Sequence, residues 1–400
     1  MTPHPFAARR FWIMLVSAGA NGDPRRRTSG AALRQSIWVL LAAVAFTSRA
    51  AEGVIESFIA TATAENPRHT EADILTLRDG TLFAAWGEFY GGSRDDAPAR
   101  IAAARSRDGG RTWGERSVLQ ENSGKANVMS ASLLRSRSGD VMFFYLQKNS
   151  LSDLKVLVRR STDDTRTWSA PVIVTADDGY HVMNNGRVIQ LRSGRLLAPV
   201  ATTKQVWTKN DDFRTRVYLS DDDGRTWRRS RSEARAPKRG AMEPGLIEMK
   251  DGRVMQIIRT QTGFIWRSFS SDGGDTWTEA APWNIESPES PATLKTVPET
   301  GEWLLVWNPK VSWENPEKTV LGANHGGLRT PLAAMISRDE GVTWSRPRNL
   351  EPDPVVTYAY TSVTFQGDRA LLSYYYFPTP GKLLSLKFKS VPLDWFRAAP

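Results

Sequence analysis

Arg259 makes the clearest chemical demand in the sequence. It ends Val254-Met255-Gln256-Ile257-Ile258, a run that reads as a buried strand. A guanidinium in such a place needs an anionic partner or an anionic ligand. Glu243 is the obvious partner within the chain. The sequence holds no Cys and only four His (His4, His69, His181, His325), which removes thiol nucleophiles, zinc–thiolate sites and iron–sulfur clusters and makes a His-rich metal site unpromising. The chemistry therefore falls to carboxylates, Arg, Tyr and Ser, and no metal or cofactor is expected.

The elements that must position such groups emerge when the chain is laid against itself. The pattern S-x-D-x-G-x-T-W runs from Ser106 to Trp113, Ser220 to Trp227, Ser270 to Trp277 and Ser337 to Trp344, with a degenerate copy, Ser161 to Trp168, in which Thr165 replaces the glycine. Each copy describes a turn: Asp caps backbone N–H groups, Gly takes a conformation a side chain would resist, and Trp packs back between sheets. These aspartates are expected to be structural. A second signal precedes each box, a turn glycine between two strand-like runs, at Gly80, Gly139, Gly194, Gly252, Gly301 and Gly367. The spacing suits a four-stranded unit, and β-branched and aromatic residues fill the flanks, as in Val141-Met142-Phe143-Phe144-Tyr145. The fold class predicted is all-β, a six-bladed β-propeller with Asp-box turns. With five boxes for six turns, residues 54–59 are expected to close the last blade from the other end of the chain, which removes an exposed sheet edge.

In a propeller the first strand of every blade begins on the same face, so equivalent offsets from the glycines should give a ring of side chains. Nine residues before them stand Glu71, Ser130, Asn185, Glu243, Ala292 and Tyr358; seven before stand Asp73, Ser132, Arg187, Gly245, Leu294 and Tyr360. The second strands return to that face with Arg259 and Asn308, and the third strands start near Asp95, Asp96 and Arg329. Arg, carboxylates and Tyr thus share one mouth.

The formal charge of +10 is misleading about partners. The first 50 residues carry seven Arg against one Asp, which leaves about +4 for the rest, scattered along the chain. That is no footprint for a phosphate backbone. Arg34 precedes an apolar run from Ile37 to Phe46, followed by Ser48-Arg49-Ala50 with small residues at the −3 and −1 positions of a cleavage site. Residues 1–50 are read as a signal peptide and extension, because the run is too short to span about 30 Å of hydrocarbon as a helix. Residues 51–400 are read as one exported domain, periplasmic or extracellular, with no stable membrane anchor after cleavage.

Across residues 54–396 the chain resembles the sialidase superfamily, specifically bacterial BNR/Asp-box sialidase-like proteins. The boxes carry that resemblance, and so does Met242-Glu243-Pro244-Gly245-Leu246-Ile247-Glu248 followed across one hairpin by Arg259-Thr260. Arg329 matches a further Arg of the family's triad, and Ala359-Tyr360-Thr361 resembles the segment of the tyrosine nucleophile. The resemblance implies a glycoside hydrolase that removes a terminal sialic acid or related acidic sugar with retention. Tyr360 would attack, Glu243 would accept its proton, and Asp96, with Asp95 as the alternative, would act as acid and base. Arg259 and Arg329 would hold the sugar carboxylate.

The first blade departs from the pattern. Counting back from Gly80 puts the remaining triad Arg at Thr70, and the text there, Arg68-His69-Thr70-Glu71-Ala72-Asp73, is not Arg-Ile-Pro. Arg187 is the expected substitute, with Glu71, Asp73, Asn185 and Asn308 placed to meet sugar hydroxyls. Rival readings are a hydrolase or lyase for another acidic sugar and a propeller that binds glycans without cleaving them. Trp207 and Trp313 are candidate sugar contacts and Glu289 a candidate lining group, whereas His69 and His325 are expected to be neither base nor ligand.

Overall fold

The computed structural model describes residues 53–208, 211–310, 328–378 and 383–398. The expected leader, Trp313 and His325 lie outside them. From Ala50 onward the chain forms one compact unit built almost wholly of β-strands.

The first strand, β1 (Ile55–Ala60), belongs with the end of the chain. After it come β2 (Arg68–Thr76), β3 (Leu82–Phe89), β4 (Ala99–Ser106) and β5 (Ser117–Gln120), which form one antiparallel four-stranded sheet. Next follow β6 (Asn127–Arg135), β7 (Val141–Lys148), β8 (Leu154–Ser161) and β9 (Val172–Ile173). Then come β10 (Tyr180–Val182), β11 (Ile189–Gln190), β12 (Leu196–Thr203), β13 (Arg214–Ser220) and β14 (Arg228–Arg229). These nine strands make one hydrogen-bonded sheet, but its two halves meet through a single parallel pair, Tyr180 with Leu154. Two further four-stranded sheets hold β15 (Met242–Glu248), β16 (Val254–Arg259), β17 (Phe264–Ser270) and β18 (Ala281–Glu286), then β19 (Thr293–Thr296), β20 (Trp303–Trp307), β21 (Leu332–Ser337) and β22 (Arg348–Glu351). The last comprises β23 (Val356–Gln366), β24 (Arg369–Pro378), β25 (Ser385–Pro392) and β1, with a short helix α1 (Leu393–Arg397) behind.

Six glycine-turn hairpins are thus spread over five hydrogen-bonded sheets. The closure expected from the sequence is present, with β1 antiparallel to β25 from Ile55 opposite Ser390 to Ala60 opposite Leu386. Glu56 adds ion pairs to Lys387 and Lys389 at 2.5 and 3.0 Å.

The five Asp boxes share one geometry. In each the Ser hydroxyl donates to Asp and accepts the N–H of the fourth residue on, while the Asp accepts both the amide and hydroxyl of the Thr. Gly110, at φ +89°, lies so close to Phe388 of β25 that a Cβ would fall 1.9 Å from the ring. In the degenerate copy Thr165 takes the glycine's place at φ 75°. The core lies between successive sheets, for example Trp86 and Ala102 of one against Leu386 and Phe388 of the next.

Candidate active site

Four first strands carry the same irregularity. Glu71, Ser130, Glu243 and Tyr360 have φ values of 54°, 56°, 39° and 56°, and each sits at a break in register between the first and second strands of its hairpin. A non-glycine residue in the left-handed region is strained, and a bulge re-aims the side chain that carries it. Three of the four, Glu71, Glu243 and Tyr360, line one cavity of roughly 720 Å³. The glycine offset needs one correction. The last hairpin turns between Gln366 and Arg369, whereas the first turns between Thr76 and Leu82, so Tyr360, not Tyr358, is the equivalent of Glu71 and Glu243.

Tyr360 donates its hydroxyl to Glu243 Oε1 at 3.2 Å, and Arg259 binds Glu243 Oε2 at 2.7 Å. Burial, then Glu243, push the phenol well above its ordinary pKa, against the opposing Arg259 and Arg329. It is therefore a neutral hydroxyl with a carboxylate beside it, the arrangement of a nucleophile and its base. Arg259 reaches Glu289 Oε1 at 3.0 Å with its other arm, and Arg239 binds that same oxygen at 2.6 Å. Glu289 thus stands fully buried behind the guanidinium groups as their counter-charge. Burial opposes the charge on Arg259, but Glu243, Tyr360 and Glu289 outweigh it and raise its pKa.

Arg329 donates to neutral oxygens, the Tyr375 hydroxyl at 2.9 Å and the Glu289 carbonyl at 2.9 Å. No carboxylate within ion-pair distance of it is recorded among the described residues, so its charge is the one best placed to meet an incoming anion. Arg239 and Arg68 also line the cavity, and the count from Gly80 passes over Arg68. Its Nη1 donates to Asp95 Oδ1 at 2.5 Å, and its guanidinium packs 4.4 Å from the Phe89 ring centre. Thr70 itself is buried against Gly87 of the neighbouring strand. Arg187, the expected substitute, is buried outside the cavity lining, bonded to Asn184 and pushed down to about 10 by burial.

The two neighbouring aspartates part company. Asp95 lines the cavity and its carboxyl is held below the usual range by Arg68, against the effect of burial. Its side chain is 51% accessible, and the cavity it lines accounts for how a carboxylate can be solvent-touched yet strongly coupled to Arg68. Asp96 points away and pairs with Arg94 at 3.0 Å on the exposed side. Lys148, fully buried, and Asn127 donate to the Asp95 carbonyl at 3.0 and 2.9 Å and fix the loop.

The remaining expected contacts serve the frame. Asn308 donates to the carbonyls of Pro331 and Tyr358 and accepts from Ser290. Asn185 donates to the carbonyls of Ala72 and Tyr360, and so supports the strained backbone of Tyr360 from behind. Asp73 accepts the amides of Ile74 and Leu133 and is raised to about 6 by burial. His69 accepts from the Trp86 indole and is pushed down to about 4 by burial, so it is neutral near pH 7. Trp207 does line the cavity, half-exposed, with Lys148 Nζ 5.0 Å from its ring centre. Two grooves of similar size among the Asp-box turns are lined by Arg and Asp and by no Tyr.

An all-β fold with Asp-box turns defines the class of BNR-repeat propellers. The family model of the BNR repeat-like domain matches residues 80–373, and the chain belongs to that family. It is similar to a sialidase of Micromonospora viridifaciens, 29% identical over 236 residues that cover 53% of this chain and 36% of that protein. A sialidase of Bacteroides fragilis is 23% identical over 73% of this chain and 56% of its own length. The chain therefore spans about a third to just over half the length of these relatives. Among solved structures, a protein of unknown function from Dyadobacter fermentans superposes with a TM-score of 0.68 at 18% identity, covering 85% of this chain and 99% of its own. Trypanosoma rangeli sialidase in complex with the inhibitor DANA gives 0.65 at 16%, covering 84% and 59%. These likenesses establish the sialidase propeller fold.

Proposed function

We infer that this chain is an exported glycoside hydrolase that removes a terminal sialic acid, or a closely related acidic sugar, with retention through a tyrosyl intermediate. The observation that carries the reading is the Tyr360–Glu243 hydrogen bond inside a cavity that Arg68, Arg259 and Arg329 also line. The sialidase names of the Micromonospora and Bacteroides relatives support it.

Sialic acid bears a carboxylate on its anomeric carbon, so an anionic nucleophile would be repelled where a neutral phenol is not. As the Tyr360 oxygen bonds to that carbon, Glu243 takes the phenolic proton, and the bond to the leaving oxygen breaks as Asp95 protonates it. Asp95 then takes a proton from the water that cleaves the tyrosyl–sugar bond, and Glu243 returns its proton to Tyr360. Arg68 has a second part in this scheme. In the empty cavity it keeps Asp95 ionised, and a sugar carboxylate that takes over Arg68 removes that stabilisation and lets Asp95 hold the proton it must deliver.

A second reading, an acidic or neutral sugar other than sialic acid, rests on the carboxyl of Glu71, with which a sugar carboxylate would have to share the cavity. Release of 4-methylumbelliferone from its α-N-acetylneuraminic acid conjugate by protein starting at Ala51 separates the two. Turnover that is lost in Tyr360→Phe supports sialic acid. No turnover by folded protein excludes it and points to a panel of uronic and other ulosonic acid glycosides.

A further inference from the structure

Glu71 is a carboxyl group where an anion is to be bound. It stands at the left-handed bulge of β2, buried, in the same lining as Arg68, Arg259 and Arg329. Oε2 accepts the Ser130 hydroxyl at 2.6 Å, and the Arg68 guanidinium is taken by Asp95. A sugar carboxylate seated on Arg68, Arg259 and Arg329 would share the cavity with the buried Glu71, and two like charges there oppose each other.

We propose that Glu71 is a specificity-determining carboxyl: the cavity holds a sugar carboxylate only with Glu71 protonated, so binding an acidic sugar takes up one proton at this side chain. This rests on the reading of the cavity as an acidic-sugar site. Protonated, Glu71 is a hydrogen-bond donor toward the sugar; ionised, it favours hydroxyl donors on an uncharged one.

The groups that face it act in both directions. Arg68 on β2 and Ser130 on β6 favour its ionised form, whereas Glu243 on β15 and Asp95 in the loop after β3 favour the neutral one. Lys148 on β7, Tyr180 on β10 and Tyr360 on β23 also feel its charge. Burial dominates and pushes the carboxyl up to about 7. The empty cavity is therefore mostly protonated at Glu71 at pH 6 and mostly ionised above pH 8.

The test is calorimetric binding of DANA between pH 5.5 and 8.5, in buffers of different ionisation enthalpy, to protein starting at Ala51 and to Glu71→Gln. Wild-type affinity relative to that of Glu71→Gln is expected to fall about tenfold per pH unit above about 7, so that the Gln variant binds about 30-fold more tightly at pH 8.5. Asp95 and Glu243 are present in both proteins, so the extra proton taken up by wild type reports Glu71. Ser130→Ala, which removes a bond to the ionised form, is expected to move the wild-type break to higher pH. Equal pH dependence in wild type and Glu71→Gln, or weaker binding by the variant at every pH, overturns the proposal and leaves the acidic-sugar reading standing. Absence of DANA binding by both folded proteins at every pH overturns the proposal together with sialic acid as the sugar.

Discussion

At the scale of single residues, the adjacent carboxylates Asp95 and Asp96 give the sharpest comparison. Only Asp95 lines the cavity, so Asp95→Asn is expected to lose about 10²–10⁴-fold in kcat on a sugar leaving group, while Asp96→Asn stays within about threefold of wild type. On the 4-methylumbelliferyl conjugate, whose leaving group needs little protonation, the Asp95→Asn loss should be far smaller. Equal losses on both substrates would remove Asp95 from the acid role. Tyr360→Phe is expected to abolish turnover on both, since no second phenol is hydrogen-bonded to Glu243 among the described residues.

At the scale of elements, the bulges and the boxes do different work. The bulges turn side chains that simple alternation would send into neighbouring sheets toward the cavity, at a backbone cost of about 1–3 kcal/mol each. The boxes stabilise the opposite ends of the blades. In the first box Gly110→Ala forces a Cβ into the Phe388 ring at a left-handed position and is expected to cost about 2–5 kcal/mol, read by urea unfolding. The box carboxylates also set an acid limit. Asp339 is pulled down to about 2 by the Thr343 hydroxyl and amide, below an unfolded value of about 3.9. A depressed carboxylate contributes its full stabilisation above the unfolded value and loses it as pH falls toward the folded one. The melting temperature is therefore expected to drop between pH 4 and pH 2, and less steeply in Asp339→Asn. Parallel profiles would mean that this box does not govern acid unfolding.

At the scale of the whole molecule, ring closure joins residues more than 300 positions apart. Besides pairing with β25, β1 carries Ser57, which bonds the Gly110 carbonyl and receives the Trp113 indole, and Phe58, whose ring packs edge-on to Tyr376. A chain starting at Thr63 bares the edge of β25 and is expected to melt on the order of 10 °C lower than one starting at Ala51, with a tendency to self-associate. Unchanged melting would show that the other sheets carry the closure. Expressed whole in a Gram-negative host, the protein is expected in the periplasm with Ala51 as its first residue. Full-length protein retained in the cytoplasm would remove the export reading.

The sequence by itself determined the repeat: Asp-box turns and glycine hairpins are local, since a turn is written in the residues that make it. The same holds for Arg259, whose demand is visible because a buried strand ends on it, and for Glu243 and Tyr360, which the family resemblance singles out. Only the tertiary structure decided that Arg68 and Arg239, and not Arg187, join Arg259 and Arg329 at the cavity, and that Asp95 rather than Asp96 faces them. Those choices depend on a bulge that breaks strand alternation, on turn lengths that shift the register between blades, and on an ion pair between residues far apart in sequence. None of these leaves a periodic mark, because each arises from where two separately folded segments meet.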